Sequence, residues 1–132
     1  MAIKMSDTVR NAMMNAYESA IGTGAILRIY TGAPPATLAT AATGTLLVEI
    51  TLPSDWMAAA AAGVIAKVGT WSANASAGGT AGYYRIFNSA GTVAHEQGTV
   101  AASGGDMTIN NTNVASGQTI TVSAFTKTAG NA

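Results

Sequence analysis

The stretch LLVEITL, residues 46–52, decides the fold of this chain. Leu46, Val48, Ile50 and Leu52 alternate with other residues, and this period of two places one set of side chains on one face of a β-strand. Gly44 precedes the stretch and Pro53 follows it, and both residue types are typical of strand boundaries. The pattern predicts a strand with one face in a hydrophobic core.

The same short β-type pattern continues on both sides of residues 46–52, from Gly24 to the C-terminal region. Glycine, proline, asparagine and serine separate the runs, and the spacing of roughly one strand per dozen residues is typical of a sandwich or small barrel. The Ala-rich stretch between Trp56 and Val64 is compatible with a short helix or a loop. We therefore predict a mainly β fold, a jelly-roll-like antiparallel β-sandwich of about seven to eight strands, over residues 22–127. The predicted strands are 25–30, 46–52, 64–68, 81–88, 92–100, 107–109 and 119–125, with loops at 31–44, 72–80 and 103–106.

An amphipathic α-helix is predicted before the sandwich, over residues 7–20. Ser6 is a suitable N-cap and Gly22 a suitable stop. The residues that share one face of this helix are Val9, Ala12, Met13, Ala16, Tyr17 and Ala20. We expect one domain over residues 1–132, with 1–21 as an N-terminal helix or arm and 128–132 as a tail.

The chain has an unusually low content of charge and of reactive groups. Only 9% of its 132 residues are charged, the formal net charge is zero, and there is no cysteine. Lysines and arginines are scattered, which argues against nucleic acid as a partner. The longest largely apolar run is about half of what a membrane-spanning helix requires, so no membrane association is predicted. Sparse charge gives little self-repulsion and favours association with other proteins.

No catalytic, cofactor or metal site is predicted. His95 and Glu96 are neighbours on a predicted strand and should point to opposite faces. His95, Ser103 and Asp106 match a hydrolase triad in composition only, because no nucleophile-elbow motif surrounds the serine. A single histidine and isolated carboxylates give no metal-ligand spacing. The chain is therefore predicted not to be an enzyme.

Four segments carry a family resemblance: GTGAILRIYTGAPPA (22–36), GTLLVEITLP (44–53), GTAGYYRIFNSAGTVAHEQGTV (79–100) and GGDMTINNTNVASGQTITVSAF (104–125). Together they resemble the cement or decoration proteins of tailed-bacteriophage capsids. The resemblance implies a jelly-roll-like virion protein that binds and stabilises the outer surface of the capsid. It also implies synthesis in the cytoplasm of the host bacterium, and partners that are the major capsid protein and further copies of the chain, as a homodimer or homotrimer.

The contacts expected for such a protein lie in residues 1–20 and in the loops 31–44 and 72–80. The candidate interface residues are Met5, Arg10, Met14, Pro34, Pro35 and Trp71. Two alternatives remain open at this point. One is another virion part, such as a tail, fibre or head-tail component. The other is a carbohydrate-binding β-sandwich, in which the rings of Trp56, Trp71, Tyr83 and Tyr84 would stack on sugars.

Overall fold

The computed structural model describes residues 2–132, which form one α-helix and ten β-strands. The helix α1 spans Asp7–Ile21, and Ser6 caps it by accepting a hydrogen bond from the backbone N–H of Val9. The strands are β1 (Ile26–Thr31), β2 (Leu46–Thr51), β3 (Val64–Ala66), β4 (Ser72–Asn74), β5 (Gly79–Phe87), β6 (Ala94–Ala101), β7 (Met107–Ile109), β8 (Asn113–Val114), β9 (Thr119–Ala124) and β10 (Thr126–Thr128). Within residues 2–132, no helix is both long and apolar enough to span a bilayer.

The strands form one large, strongly curved sheet and one small ribbon. The large sheet has the order β2-β1-β5-β6-β7-β9-β4, with β8 paired to the start of β5, and β10 pairs with β3 in the ribbon. The N–H of Ser76, just after β4, donates to the carbonyl of Leu47 on β2 at 2.8 Å, so the two ends of the sheet nearly meet. The predicted mainly β sandwich with one N-terminal helix is confirmed.

One strand pair departs from the predicted antiparallel arrangement. β6 and β7 run parallel, with Val100 opposite Met107, although only residues 102–106 connect them. Parallel neighbours usually need a much longer connection. Here the carboxylate of Asp106 fastens the short loop, because its Oδ2 accepts from the backbone N–H of Thr99 at 2.9 Å and from the hydroxyl of Thr99 at 3.0 Å.

The decisive strand 46–52 lies in the core as predicted, with one irregularity. Val48 and Ile50 are buried and Glu49 is exposed. At the N-terminal end, the pairing steps from Ile29 opposite Val48 to Tyr30 opposite Leu46, so Leu47 is an extra residue in a β-bulge. The bulge turns Leu47 into the core and leaves Leu46 partly exposed.

A series of aromatic rings in contact runs through the core from the helix to strand β5. Successive ring centroids lie 5.6 to 6.0 Å apart along Tyr17, Trp56, Trp71, Phe125 and Tyr84. Such tilted and edge-on contacts stabilise aromatic pairs beyond the burial of their surface. The helix is thereby packed into the same hydrophobic cluster as the strands.

The Ala-rich stretch before Val64 forms no helix; it is a loop with two isolated β-bridges, which agrees with one of the two interpretations considered for it. It is extended, and Ala61 and Val64 exchange two backbone hydrogen bonds around a tight turn at Ala62 and Gly63. Both turn residues have positive φ, at 51° and 74°. Mirror-image turns of this kind match the twist of a hairpin, which explains why the chain reverses here.

Two predicted irregular segments are ordered parts of the fold, and both predictions need correction. The loop expected at 72–80 contains β4 and the start of β5. The tail expected at 128–132 begins within β10, and its Ala129 is buried and donates its backbone N–H to the carbonyl of Gly63 at 2.8 Å. Neither segment has a local sequence pattern that predicts a strand, since the strands are short and their residues are small.

Candidate interaction surface

The helix α1 faces the domain with polar side chains as well as with Met14, Tyr17 and Ile21, which pack against the core. Asn11 Oδ1 accepts the backbone N–H of Gly63 at 2.7 Å, and Asn15 Oδ1 accepts that of Ala60 at 2.8 Å. The two asparagines are four residues apart and therefore lie one turn apart on the same helix face. They satisfy backbone donors of the extended Ala-rich segment, which would otherwise lack a partner inside the protein.

Glu18 continues this row one turn further along. Its Oε2 accepts the backbone N–H groups of Trp56 at 2.7 Å and of Met57 at 2.6 Å. The indole N–H of Trp56 donates in return to the carbonyl of Gly22 at 3.0 Å, just after the helix ends. Hydrogen bonds to a carboxylate are about twice as strong as those between neutral groups, so this end of the helix is firmly held.

Arg10 fixes the other end of the helix and is buried, with 5% of its surface exposed. Its Nε and Nη2 donate to the carbonyl of Ala129 at 3.3 and 2.8 Å, and Nη1 donates to Asp7 at 3.1 Å. A Cβ at Gly63 would lie 2.5 Å from the guanidinium carbon, so only glycine leaves room for it. Arg10, a predicted interface residue, therefore acts within the chain and does not offer its side chain to a partner.

A second set of apolar residues of α1, on the side away from the domain, is directed to solvent. Val9 and Met13 are each 47% exposed, and the three alanines one turn apart beside them are exposed as well. We call this surface the helix stripe; it consists of Val9, Ala12, Met13, Ala16 and Ala20. Of the six residues expected to share a helix face, only Tyr17 packs inward, against Trp56. Isolated exposed apolar residues are ordinary, whereas a continuous apolar surface marks an interaction site.

The candidate interface residues Met5, Met14 and Trp71 differ in accessibility. Met5 is half-buried and its backbone N–H donates to the carbonyl of Asn131 at 2.7 Å. Met14 is half-buried and packs against the core. Trp71 is fully buried and its indole N–H donates to the carbonyl of Val68 at 3.0 Å. Trp71 therefore contributes to the core, and no part of its ring is available to a partner.

Pro34 and Pro35 are half-buried in a long segment, residues 32–45, which we call the strap. The strap connects β1 to β2 and lies over the outer face of the sheet, where it contacts side chains of β5 and β6. The carbonyl of Pro35 accepts from Nε2 of Gln97 at 2.7 Å. Tyr83 holds the far end, because its hydroxyl donates to the carbonyl of Thr43 at 2.6 Å and accepts the N–H of the same residue at 3.0 Å.

The strap lies so close to the sheet that the strand beneath it needs a glycine. A Cβ at Gly82 would lie 1.9 Å from the carbonyl oxygen of Gly32. Any side chain at position 82 would therefore push the strap away from the sheet. The predicted contact loop 31–44 is thus an ordered cover, attached at several points, whose alanines and threonines form its outer surface.

The aromatic residues considered for sugar stacking are all buried. The exposed fractions of Trp56, Trp71, Tyr83 and Tyr84 are between 0 and 2%. A sugar needs an accessible ring face on which to stack, and none of these four rings offers one.

The residues considered for catalysis are not gathered into one site. No hydrogen bond in the described part of the chain joins His95, Ser103 and Asp106; the carboxylate of Asp106 binds Thr99 instead. His95 is exposed, whereas the side chain of its neighbour Glu96 is turned inward. Among residues 2–132 there is no group of three His, Asp or Glu side chains placed to hold a metal ion.

A buried polar cluster lies where no sequence pattern indicated one. Glu96 accepts a hydrogen bond from the Tyr84 hydroxyl at 2.6 Å and pairs with Lys127, whose ammonium group lies over the ring of Tyr17, 5.0 Å from its centroid. Burial, followed by the nearby Glu96 carboxylate, raises the pKa of both tyrosines far above its usual range. The four residues come from separate elements, so only the folded chain brings them together.

Comparison of the chain with protein-family models, with curated proteins and with solved structures found no match. The helix stripe and the strap are therefore interpreted from their own geometry. Both lie on the surface, and both are held in place by hydrogen bonds to the domain beneath.

Proposed function

We propose that this chain is a non-enzymatic structural protein of a bacteriophage virion, which binds the outer surface of the capsid and stabilises it. The observation that carries the proposal is the helix stripe, an apolar surface on a helix whose polar side chains are used to attach it to its own domain. A rigid apolar helix face fits a hydrophobic groove of a partner without the cost of ordering a flexible segment.

The chemistry of such a role agrees with the low charge of the chain. A protein that binds only the assembled shell stabilises that shell by mass action, and no reacting group is required. Weak contacts repeated over a lattice add up when copies of the chain also contact one another as dimers or trimers. The major capsid protein and further copies of this chain are therefore the proposed partners, and the capsid exterior is the proposed location.

Stripe variants in purified virions test the proposal. Met13→Glu places a charge at the centre of the helix stripe, and we expect it to abolish binding to capsids of the phage that encodes the chain. Ala90→Glu adds the same charge at an exposed turn between β5 and β6 and serves as the control. Equal capsid occupancy of the two variants, with both folded, would contradict the proposal. Deleting residues 1–20 would be less informative, because α1 contributes to the core.

The number of copies per virion separates this role from the nearest alternative. Quantitative mass spectrometry of virions should give a molar ratio to the major capsid protein near one, or near a simple fraction. A few copies per particle would instead assign the chain to a tail, a fibre or a head-tail connection, because β-domains of one fold serve many roles.

A further inference from the structure

A row of four polar side chains crosses the sheet beneath the strap. Arg28 on β1 lies opposite Glu49 on β2 and opposite Arg85 on β5, and Arg85 in turn lies opposite Gln97 on β6. Two arginines thus face each other across one antiparallel pair. Like charges in directly opposed positions destabilise a sheet unless something compensates them.

Only one of the two arginines has a negatively charged partner. Nε of Arg28 donates to Glu49 at 2.7 Å. Arg85 is buried, with 3% of its surface exposed. Its guanidinium donates only to neutral acceptors, which are Gln97 Oε1 at 3.1 Å and the strap carbonyls of Thr37 and Thr40 at 3.2 and 2.7 Å. No carboxylate in residues 2–132 lies within ion-pair distance of Arg85. A buried charge without a counter-charge is costly.

The uncompensated guanidinium lines a cavity of about 380 Å³ between the sheet and the strap. In the described chain, Nη1 of Arg85 and Nη2 of Arg28 donate no hydrogen bond. Neither nitrogen is completely buried, because the only fully buried side-chain polar atom without a partner in residues 2–132 is Tyr17 Oη, which lies elsewhere in the fold. The guanidinium carbon of Arg28 lies over the ring of Phe87, 4.6 Å from its centroid.

We propose that this cavity binds the carboxylate group of an organic acid. Guanidinium groups bind planar carboxylates through paired hydrogen bonds, and two open N–H donors with a net positive charge are present here. Apolar side chains line one part of the cavity and can contact the hydrocarbon body of an organic acid, which inorganic phosphate lacks, although the accessible wall as a whole is more polar than apolar. The volume of the cavity is in the range of known small-molecule binding sites. The wall residues are Tyr30, Leu38, Ala39, Ala41, Ala42 and Phe87.

The carboxylate has two possible sources with the same chemistry: a free small acid, or an Asp or Glu side chain of a partner protein. NMR titration of the whole protein with sodium acetate, sodium benzoate and sodium phosphate, at constant ionic strength, distinguishes them. We expect saturable shifts of the Arg85 Nε–H signal and of the amides at 39–42 with both carboxylates. Tighter binding of benzoate indicates a free acid with an apolar body, whereas equal binding indicates that the carboxylate group alone is recognised, as for a partner side chain.

Two variants locate the site. Arg85→Lys keeps the charge but loses the planar fork, and we expect carboxylate binding at least about tenfold weaker. Lys4→Gln removes one positive charge at an exposed position and should leave binding unchanged. Absence of saturation by either carboxylate up to about 50 mM, phosphate binding as tight as benzoate, or equal binding by Arg85→Lys would overturn the proposal. The titrations of the unaltered protein decide the matter even if the variant does not fold.

Discussion

Glu18 Oε2 lies 2.7 Å from the backbone nitrogen of Trp56. The same oxygen accepts the next backbone N–H, that of Met57. The carboxylate of a helix residue thus accepts two successive backbone N–H groups, which a neighbouring strand would otherwise have to accept.

The Glu18 carboxylate should be a major contributor to stability. Glu18→Ala leaves two largely buried backbone donors without an acceptor, and we expect it to lower the free energy of unfolding by about 2–3 kcal/mol. Asp55→Ala removes an exposed carboxylate that forms no ion pair within residues 2–132 and should cost less than about 0.5 kcal/mol. Urea denaturation of both variants measures the difference; equal losses would show that Glu18 does not hold the helix.

The outward direction of the helix stripe can be tested with two adjacent methionines. Met13 is 47% exposed, and we expect Met13→Ala to change the free energy of unfolding by less than about 0.5 kcal/mol. Met14 packs against the core, and the same substitution there should cost about 1–2 kcal/mol. Chemical denaturation of the two variants measures these losses. A larger loss for Met13→Ala than for Met14→Ala would mean that the helix stripe packs against the domain.

Close packing of the strap on the sheet should make Gly82 intolerant of any side chain. Gly82→Ala would bring a methyl group onto the Gly32 carbonyl, and we expect a loss of about 2–4 kcal/mol with altered amide signals along the strap. Gly130→Ala meets no atom within 4 Å and is the matched control. A strap that tolerates Gly82→Ala without loss of stability would not be in contact with β5.

Removal of one hydroxyl group should change the free energy of unfolding differently at two tyrosines. Tyr84→Phe removes a 2.6 Å hydrogen bond to the Glu96 carboxylate, and we expect a loss of about 1.5–3 kcal/mol. Tyr17 Oη is buried without a partner, so Tyr17→Phe should be neutral or slightly stabilising. Thermal and urea unfolding of the two variants provides the comparison. A loss of similar size at Tyr17 would reveal a partner for its hydroxyl.

Alkaline pH should unfold the protein through these same tyrosines. Burial raises the pKa of Tyr17 and Tyr84, so both stay protonated in the folded protein while unfolded chains ionise from about pH 10. The unfolded state then binds fewer protons than the folded state, and stability falls as pH rises above that point. The ionisation of these two tyrosines, followed by absorbance at 295 nm, should coincide with unfolding of the chain, followed by circular dichroism. Ionisation of all four tyrosines before unfolding would contradict the prediction.

Strand positions were predictable where apolar residues alternate, as at 46–52, because this period is a property of the strand itself. The short strand β4 was missed, since Ser72, Ala73 and Asn74 show no such pattern and owe their conformation to pairing with β9. The Ala-rich hairpin was missed for a related reason. Alanine rarely adopts positive φ, so Ala62 gives no sign of a turn.

The surface was harder to predict than the core. An amphipathic pattern states which residues of α1 share a face, but not which face packs inward. Asn11, Asn15 and Glu18 pack inward here because they find backbone donors 38 to 52 residues further along the chain. Arg85 likewise looks like an ordinary strand residue until β1 brings Arg28 opposite to it.

The hydrogen bond from Met5 to Asn131 places the two ends of the described chain side by side. A peptide link between them would need almost no added length, so a circular permutant is feasible, with new ends at the exposed turn 89–91. Peptides fused to the two ends would emerge next to each other. In a permutant, the point of attachment would lie instead at the turn between β5 and β6. The chain thereby offers two separate positions for display of a foreign sequence on one scaffold.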